Sequence, residues 1–175
     1  MQSNMTANQT LPAAGQAEQL LLFTNVLTLR VPQATTHGQY AIFEEEVPPL
    51  GGPPPHTHPD EEIFYILSGE FQFVLHDLSK PFAARAGSLV HVPSGALHTF
   101  KNVGPTAGKM LVLLTPGNLE QYFRQVSTPI TGPGQQPDLS VPPDLSKIDP
   151  SRAFALAEAH QVKFFLPQLI PSQTD

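Results

Sequence analysis

The chain has 175 residues, a length that suits one domain with a hydrophobic core rather than two large domains. Its net charge of −6 and the lack of any basic run argue against nucleic acid or an anionic membrane surface as a partner. It contains no cysteine, which excludes disulfides, thiolate zinc sites and cysteine nucleophiles. No secretory signal and no membrane-spanning run are recognisable, so we expect a cytoplasmic protein that does not bind membranes.

In chain order, residues 1–17 are polar, uncharged and aperiodic, and we predict a disordered tail. Apolar residues at 19–31 predict one strand, or two separated by a kink, and residues 39–47 predict the next. A proline-rich loop follows at 48–55, PPLGGPPP, which cannot form regular structure. The chain has 20 prolines, and because proline is excluded from helix interiors and central strands, short strands with stiff turns are expected.

Six more strand-like runs then follow at close spacing, separated by turn residues. They cover residues 62–67, 70–76, 80–85, 88–92, 97–102 and 109–115. Many short strands at this spacing are typical of a β-sandwich or barrel.

The C-terminal part of the sequence predicts helices and a long loop. Residues 118–126 have apolar side chains at helical spacing, with Asn118 as the expected N-cap. The proline-rich segment 127–149 predicts an irregular connection, either a lid or a linker. A second helix is predicted from Asp149 to about His160, and the following segment, VKFFLP, predicts an edge strand.

Histidines and a carboxylate cluster after the proline-rich loop. Side chains at i and i+2 of a strand share a face, so His56 and His58 point together, and Glu62 can reach the same place across a bend. His98 follows the tight turn at Pro93–Gly95 and offers a fourth ligand. Imidazole and carboxylate suit one divalent transition metal per chain: Fe, Mn, Ni, Co, Cu or Zn. Three histidines and Glu62 would leave coordination positions open for water, O2 or a substrate oxygen.

These stretches resemble the two sequence motifs of the cupin superfamily. The first motif is matched by Gly51, His56, His58, Glu62 and Gly69, with Gly51 one residue nearer to His56 than usual. The second is matched by Gly87, Pro93, Gly95, His98 and Asn102. The resemblance implies an all-β double-stranded β-helix, the cupin jelly-roll barrel, at residues 18–116 with the metal in its lumen. Residues 117–175 would then form a short C-terminal helical extension.

The strand that follows Glu62 is apolar on both faces. If Glu62 faces the lumen, then Phe64 and Ile66 do too, and Ile63, Tyr65 and Leu67 point outward. A second subunit or the N-terminal strand could cover them, so a homodimer is expected.

The lumen is expected to be apolar around the metal. Side chains predicted to contact the substrate are Phe64, Ile66, Phe73, Phe100, Met110 and Val112. Such a cavity favours an aromatic small molecule over a polyanion such as oxalate, since Lys101 and Arg85 are the only cations near the motifs. Glu44–Glu46 are expected to form a solvated strand end, although one of them could reach the barrel mouth.

The proline-rich loop, and the Thr115–Gly117 turn that leads into a helix with Glu120 and an aromatic pair, are similar to single-domain quercetin-dioxygenase-like cupins. That resemblance implies cleavage of an aromatic, flavonol-like substrate by O2, with Glu62 as ligand and catalytic base. Two alternatives remain: another metal-cupin enzyme (isomerase, cyclase or decarboxylase), or a non-catalytic module that binds metal or a small ligand.

Overall fold

The computed structural model describes residues 17–166, so the predicted tail lies almost wholly outside the described residues. The strands are β1 (Gln19–Leu22), β2 (Asn25–Val31), β3 (Ala41–Val47), β4 (His56–Thr57), β5 (Glu61–Ser68), β6 (Glu70–Leu75), β7 (Phe82–Arg85), β8 (Leu89–Val92), β9 (His98–Asn102), β10 (Gly108–Thr115), β11 (Thr128–Ile130) and β12 (Lys163–Phe164). The α-helices are α1 (Leu119–Val126) and α2 (Ser151–Ala157). Short 3₁₀ turns lie at Gln33–Thr36, Pro133–Gln135, Leu145–Lys147 and Glu158–His160.

The strands form two antiparallel sheets that enclose one hydrophobic core. The larger sheet has the order β11-β1-β2-β3-β10-β5-β8, and the smaller one has the order β12-β4-β9-β6-β7. Leu27 and Phe43 from the larger sheet join Phe71 and Phe100 from the smaller one in that core. The predicted all-β fold is confirmed. Within residues 17–166, no helix has the length and apolarity that a membrane crossing requires.

Strict alternation of burial marks the inner face of the larger sheet. In β10, Met110, Val112 and Leu114 are fully buried, while the residues between them are partly exposed. β10 pairs with β3 on one side and β5 on the other, so its inner side chains lie at the centre of the sheet. Three adjacent strands with the same period of two therefore give the lumen one continuous wall.

The predicted first helix forms with Asn118 at its N-cap position, but the Asn118 side chain does not cap it. The backbone of Asn118 is already helical, and its side chain makes no capping hydrogen bond. Instead, Asp60 Oδ1 accepts a hydrogen bond from the Leu119 amide at 3.2 Å. Asp60 is distant in sequence, so a local capping pattern could not identify it.

The proline-rich connection at 127–149 is more ordered than expected. Its first residues form β11, which pairs with β1 at the edge of the larger sheet. Beyond α2, the predicted edge strand is present as β12, and it pairs with β4. The C-terminal extension therefore adds one strand to each sheet.

The outward side chains of β5 are not covered by the N-terminal strand. β1 lies beside β2 in the same sheet, and Tyr65 and Leu67 remain 43% and 42% exposed. A pairing edge strand extends a sheet in its plane and cannot cover its face. This alternative was wrong, and the homodimer stays a prediction.

Asn102 fastens three segments at the end of β9. Its side chain is buried, and Nδ2 donates to the carbonyl oxygens of Val47 and Thr106, each at 2.8 Å. Oδ1 accepts from the Gly104 amide at 2.9 Å. The asparagine of the second motif is thus a structural residue that ties β3 and the β9–β10 turn to β9.

We expect Asn102→Ala to lower the free energy of unfolding by roughly 2–4 kcal/mol, because it leaves the buried Val47 carbonyl without its partner and also removes the bonds to the Thr106 carbonyl and the Gly104 amide. Urea unfolding followed by circular dichroism measures the change. The matched control is Asn118→Ala, which removes an exposed side chain without a capping bond and should cost less than about 0.5 kcal/mol. Equal effects of the two substitutions would contradict this role for Asn102.

Candidate metal centre and cavity

Three histidines meet where β4 and β9 pair. His56 lies directly opposite His98 in the β4–β9 register, and their ring centroids are 4.2 Å apart. The His58 ring lies 4.9 Å from that of His98. One potential ligand atom from each of the three lies within 4.8 Å of the others. The strand pairing, rather than the sequence spacing alone, brings His98 to the His-Thr-His pair.

Glu62 completes the cluster from the neighbouring sheet. Its Oε2 lies 3.1 Å from His98 Nε2 and 3.4 Å from His58 Nε2, and the residue is buried. The structure therefore brings together all four residues that the sequence predicts as metal ligands; their binding of an ion stays a prediction.

Backbone carbonyls orient two of the imidazoles. Nδ1 of His56 donates to the Pro54 carbonyl, and Nδ1 of His98 donates to the Ala96 carbonyl, both at 2.9 Å. A carbonyl oxygen can only accept, so the proton must sit on Nδ1, and Nε2 is left with the free lone pair that a metal needs.

The cluster suits a metal ion. Both ring nitrogens of His58 are buried and have no hydrogen-bond partner among the described residues. A buried polar atom without a partner is costly unless something else satisfies it. Ligand atoms that each lie about 2.1 Å from one ion are about 3.0–3.4 Å apart. The contacts of Glu62 Oε2 with His98 and His58, 3.1 and 3.4 Å, fall at that separation.

The protonation states of His56 and Glu62 also favour metal binding. Burial, with the positive charge of neighbouring histidines, lowers the pKa of His56 to about 3, so its imidazole is neutral at physiological pH. Burial alone would raise the pKa of Glu62, but the adjacent His58 and His98 outweigh it and hold this pKa well below its ordinary value. A neutral imidazole and an ionised carboxylate are the forms that bind a divalent ion.

The proline-rich loop holds His56 in place against β9. Its backbone pairs with Asn102, through the bonds from the Leu50 amide to the Asn102 carbonyl and from the Asn102 amide to Gly51, each 2.9 Å long. Gly52 has a φ of 145°, and a Cβ there would lie only 2.1 Å from the Phe100 carbonyl oxygen. Only glycine allows this close approach.

The metal cluster opens into a large apolar cavity of about 600 Å³. Such a volume is typical of small-molecule sites. His56 and Glu62 form part of its wall, together with Phe64 and Phe100 from the predicted substrate-binding set.

The other four predicted substrate contacts do not line this cavity. Ile66, Phe73, Met110 and Val112 are fully buried in the hydrophobic core. Alternation correctly places them on inner faces of the sheets, but it does not show their position along the barrel axis. These four side chains fill the barrel interior away from the cavity. Substrate contact stays a prediction for Phe64 and Phe100.

The sequence did not single out Glu45 as a wall residue. Glu44–Glu46 were expected at a solvated strand end, with the alternative that one of them reaches the barrel mouth; Glu45 is only 6% exposed and lies on the cavity wall beside Asn25. In the sequence, Glu45 shares a period-two face with Phe43 and Val47, and this alternation was the signal that could have singled it out.

The C-terminal extension contributes another part of the cavity wall that was not predicted from the sequence. Phe154 and Phe164 line the cavity, with ring centroids 5.2 Å apart, and Phe164 lies 6.1 Å from the His56 ring. The hydroxyl of Tyr122 donates to the Ala153 carbonyl at 3.1 Å, which fastens α2 to α1. No local pattern could show that this segment returns to the barrel mouth.

Comparison with known proteins agrees with this geometry. The family model for the cupin domain matches residues 43–114, which include all four clustered side chains. Quercetin 2,3-dioxygenase of Bacillus subtilis is 27% identical over 120 residues, which cover 68% of this chain and 35% of that protein. Residues 43–114 are therefore a cupin domain. It spans about a third of the length of this curated relative.

Two solved cupin-like structures show the same fold. A predicted oxalate decarboxylase from Thermotoga maritima matches with a TM-score of 0.54 and 20% identity, over 61% of this chain and 97% of its own. An RmlC-like cupin from Shewanella frigidimarina matches with a TM-score of 0.52 and 14% identity, over 61% and 90%. The double-stranded β-helix predicted for this cupin is confirmed.

We expect His98→Ala to weaken metal binding by at least about 100-fold, because it removes a ligand and leaves Glu62 without its nearest partner. Elemental analysis of the purified protein, before and after reconstitution with divalent ions, measures metal per chain. The matched control is His91→Ala, whose side chain is half exposed and pairs with Glu61 outside the cluster. Wild-type metal content in His98→Ala would contradict the assignment.

A pH dependence of stability follows from Glu45. Burial raises the pKa of this carboxyl to about 8 from an ordinary value of 4.5. The unfolded chain loses the proton near 4.5 while the folded protein keeps it, so the free energy of unfolding falls as pH rises from about 4.5 to 8. Each pKa unit is worth about 1.4 kcal/mol, so the fall can reach about 5 kcal/mol in the metal-free protein.

Glu45→Gln should remove this contribution, and urea unfolding between pH 4.5 and pH 9 measures it. Glu46→Gln is the control, since Glu46 lies on the opposite face of β3 near Lys109. The same pH slope in Glu45→Gln and in the wild type would show that another group is responsible.

Proposed function

We propose that this cupin is a metal-dependent dioxygenase, which uses O2 to cleave a hydroxylated aromatic, flavonol-like substrate. One observation carries the proposal: a cluster of three histidines and one carboxylate opens into an apolar cavity of about 600 Å³. A small polyanion would not need such a volume, nor walls made mostly of aromatic and aliphatic side chains. The dioxygenase from Bacillus subtilis supports the same reaction class by distant similarity.

His56, His58, His98 and Glu62 would hold the ion. A divalent transition metal there would supply Lewis acidity toward a substrate hydroxyl and, if redox-active, a route for electrons to O2. The carbonyl partners of His56 and His98 keep both rings oriented, so little reorganisation is needed when substrate enters.

Glu62 is placed to accept the substrate proton. It is buried at the junction of cluster and cavity, and its neighbours keep it ionised at neutral pH. A substrate hydroxyl that reaches the cluster would therefore lie within hydrogen-bond distance of a carboxylate base. Deprotonation makes the aromatic ring electron-rich, which is the form that reacts with an oxidant.

Aromatic side chains position the ring and exclude water. Phe64 and Phe100 lie 5.7 Å apart in an edge-to-face arrangement on the barrel side of the cavity. Phe154 and Phe164 form the opposing wall from the C-terminal extension. Rings enclosed in this way are desolvated, and the competing reaction of intermediates with water is suppressed.

A decarboxylase that acts on an aromatic acid is the second candidate. Lys101 lies on the cavity wall and could bind a substrate carboxylate. This reaction would proceed without oxygen uptake, so one assay separates the two candidates.

We expect the metal-loaded protein to consume O2 in the presence of a flavonol, and Glu62→Gln to reduce kcat by about 10²–10⁴-fold through loss of the base. An oxygen electrode measures uptake, and metal analysis of the same sample separates loss of the base from loss of the ion. Glu61→Gln is the control, because Glu61 is half exposed and pairs with His91 outside the lumen.

Loss of activity in the Glu62 variant with full metal content supports the base. Oxygen-independent turnover of an aromatic acid would replace the dioxygenase by the second candidate. No turnover of either substrate class with a full metal site would overturn both.

A further inference from the structure

We propose that Asn25 and Glu45 form a second polar subsite, which binds an uncharged hydroxyl or carbonyl group at the far end of the substrate. The inference rests on the proposed function, since it assumes that the near end of an aromatic substrate lies at the metal cluster. It narrows the substrate to an elongated aromatic compound with polar groups at both ends.

The two side chains are buried in contact with each other. Asn25 and Glu45 are each 6% exposed, and Asn25 Nδ2 donates to Glu45 Oε1 at 2.7 Å. The Thr24 hydroxyl donates to Asn25 Oδ1 at 2.9 Å, which fixes the orientation of the amide. Within residues 17–166, Asn25 provides the one hydrogen bond to this carboxyl, so its other oxygen is available to a ligand.

The surroundings of Glu45 offer it no counter-ion. Its sequence neighbours Glu44 and Glu46 both pair with Lys109 on the outer face of β3. Glu45 points inward, and no salt bridge joins it to any residue of the described chain. Burying a carboxyl among apolar side chains such as Leu27 and Phe43 costs free energy of desolvation. A leucine at the same position would pack equally well without that cost. A ligand partner in the cavity accounts for it.

The protonation state sets what the subsite can bind. Burial raises the pKa of Glu45 to about 8, so at neutral pH the carboxyl is protonated and can donate a hydrogen bond. The other titratable groups on the cavity wall are His56, Glu62, Lys101 and Tyr122. The negative charge of Glu62 also raises the pKa of Glu45, which indicates that both carboxyls share one poorly solvated space.

The strand register gives the distance between the two polar ends. Glu45 pairs with Met110, and Met110 pairs with Ile66, so Glu45 lies two strands from Ile66. Two strand spacings are about 10 Å, and the four residues from Ile66 back to Glu62 add about 13 Å along β5. The Cα atoms of the two carboxyl residues are therefore about 16 Å apart, and a ligand of two or three linked rings would span their side chains.

The test measures binding to the metal-loaded protein without oxygen, so that no turnover occurs. The probes are 3-hydroxyflavone, 3,7-dihydroxyflavone and 3,4′-dihydroxyflavone, titrated by calorimetry. At about pH 6.5, we expect one dihydroxy compound to bind about fivefold to tenfold more tightly than 3-hydroxyflavone, the range for one added hydrogen bond.

Substitutions of Glu45 test whether the tighter binding of the dihydroxyflavone depends on this side chain. Glu45→Leu should abolish it, whereas Glu45→Gln should keep it, because the amide also donates. Between pH 6.5 and about pH 9 the preference of the wild type should change more than that of Glu45→Gln, because Glu45 turns from a donor into an acceptor whereas the amide of glutamine does not titrate. The control is Glu46→Gln, which changes a neighbouring carboxyl on the outer face of β3. Thermal unfolding shows whether each variant is folded, and the Glu45→Gln comparison at two pH values decides the matter if Glu45→Leu is not.

The outcomes separate this inference from the proposed function. Equal binding of all three probes, or a preference that Glu45→Leu does not alter, would overturn the subsite and leave the proposed function intact. Loss of the preference in Glu45→Gln at both pH values would overturn the hydrogen-bond donor at Glu45. No binding of any probe to metal-loaded protein would overturn the proposed function and the subsite with it.

Discussion

Four polar side chains share a desolvated barrel interior, and the cost of burying them is the constraint on which the site depends. Imidazole and carboxylate groups without water need fixed partners, and each partner comes from a different part of the chain. His98 Nδ1 bonds to the turn before β9, His56 Nδ1 bonds to the proline-rich loop, and Glu62 reaches across from the other sheet. His58 alone has both nitrogens buried without a hydrogen-bond partner among the described residues, and a metal ion would satisfy Nε2, the nitrogen that faces Glu62.

The loop before β4 is as important to this geometry as the ligands themselves. Its backbone pairs with Asn102, and a residue larger than glycine at position 52 would collide with Phe100. Because the side chain of Asn102 also ties β3 and the β9–β10 turn to β9, one buried residue connects the loop before His56 to both sheets. Gly52 and the asparagine of the second motif therefore hold the backbone around the clustered histidines and Glu62.

Two parts of the chain form the cavity wall. The barrel supplies its inner strands, including the buried pair Asn25 and Glu45, and the C-terminal extension supplies Phe154 and Phe164. β12 pairs with β4, the strand of His56, so the extension is anchored beside the metal cluster rather than lying loosely over the mouth. The barrel thereby gains a wall from residues that lie outside 43–114, the segment that the cupin family model matches.

The sequence by itself determined most of the strands, the helix at Leu119–Val126 and the four clustered polar residues, because each rests on a local pattern. Alternation of period two places side chains on faces, and the spacing of two motifs identifies the histidines and Glu62. Alternation did not show how far along the barrel axis each inward side chain lies. Four residues of the core were therefore expected to contact the substrate: Ile66, Phe73, Met110 and Val112. Only the tertiary structure decided that Asp60 caps the first helix, that Glu45 is buried in the cavity, and that Phe164 returns to His56. Each of these depends on contacts between residues far apart in sequence, and burial, pairing and protonation at such positions are properties of the folded chain.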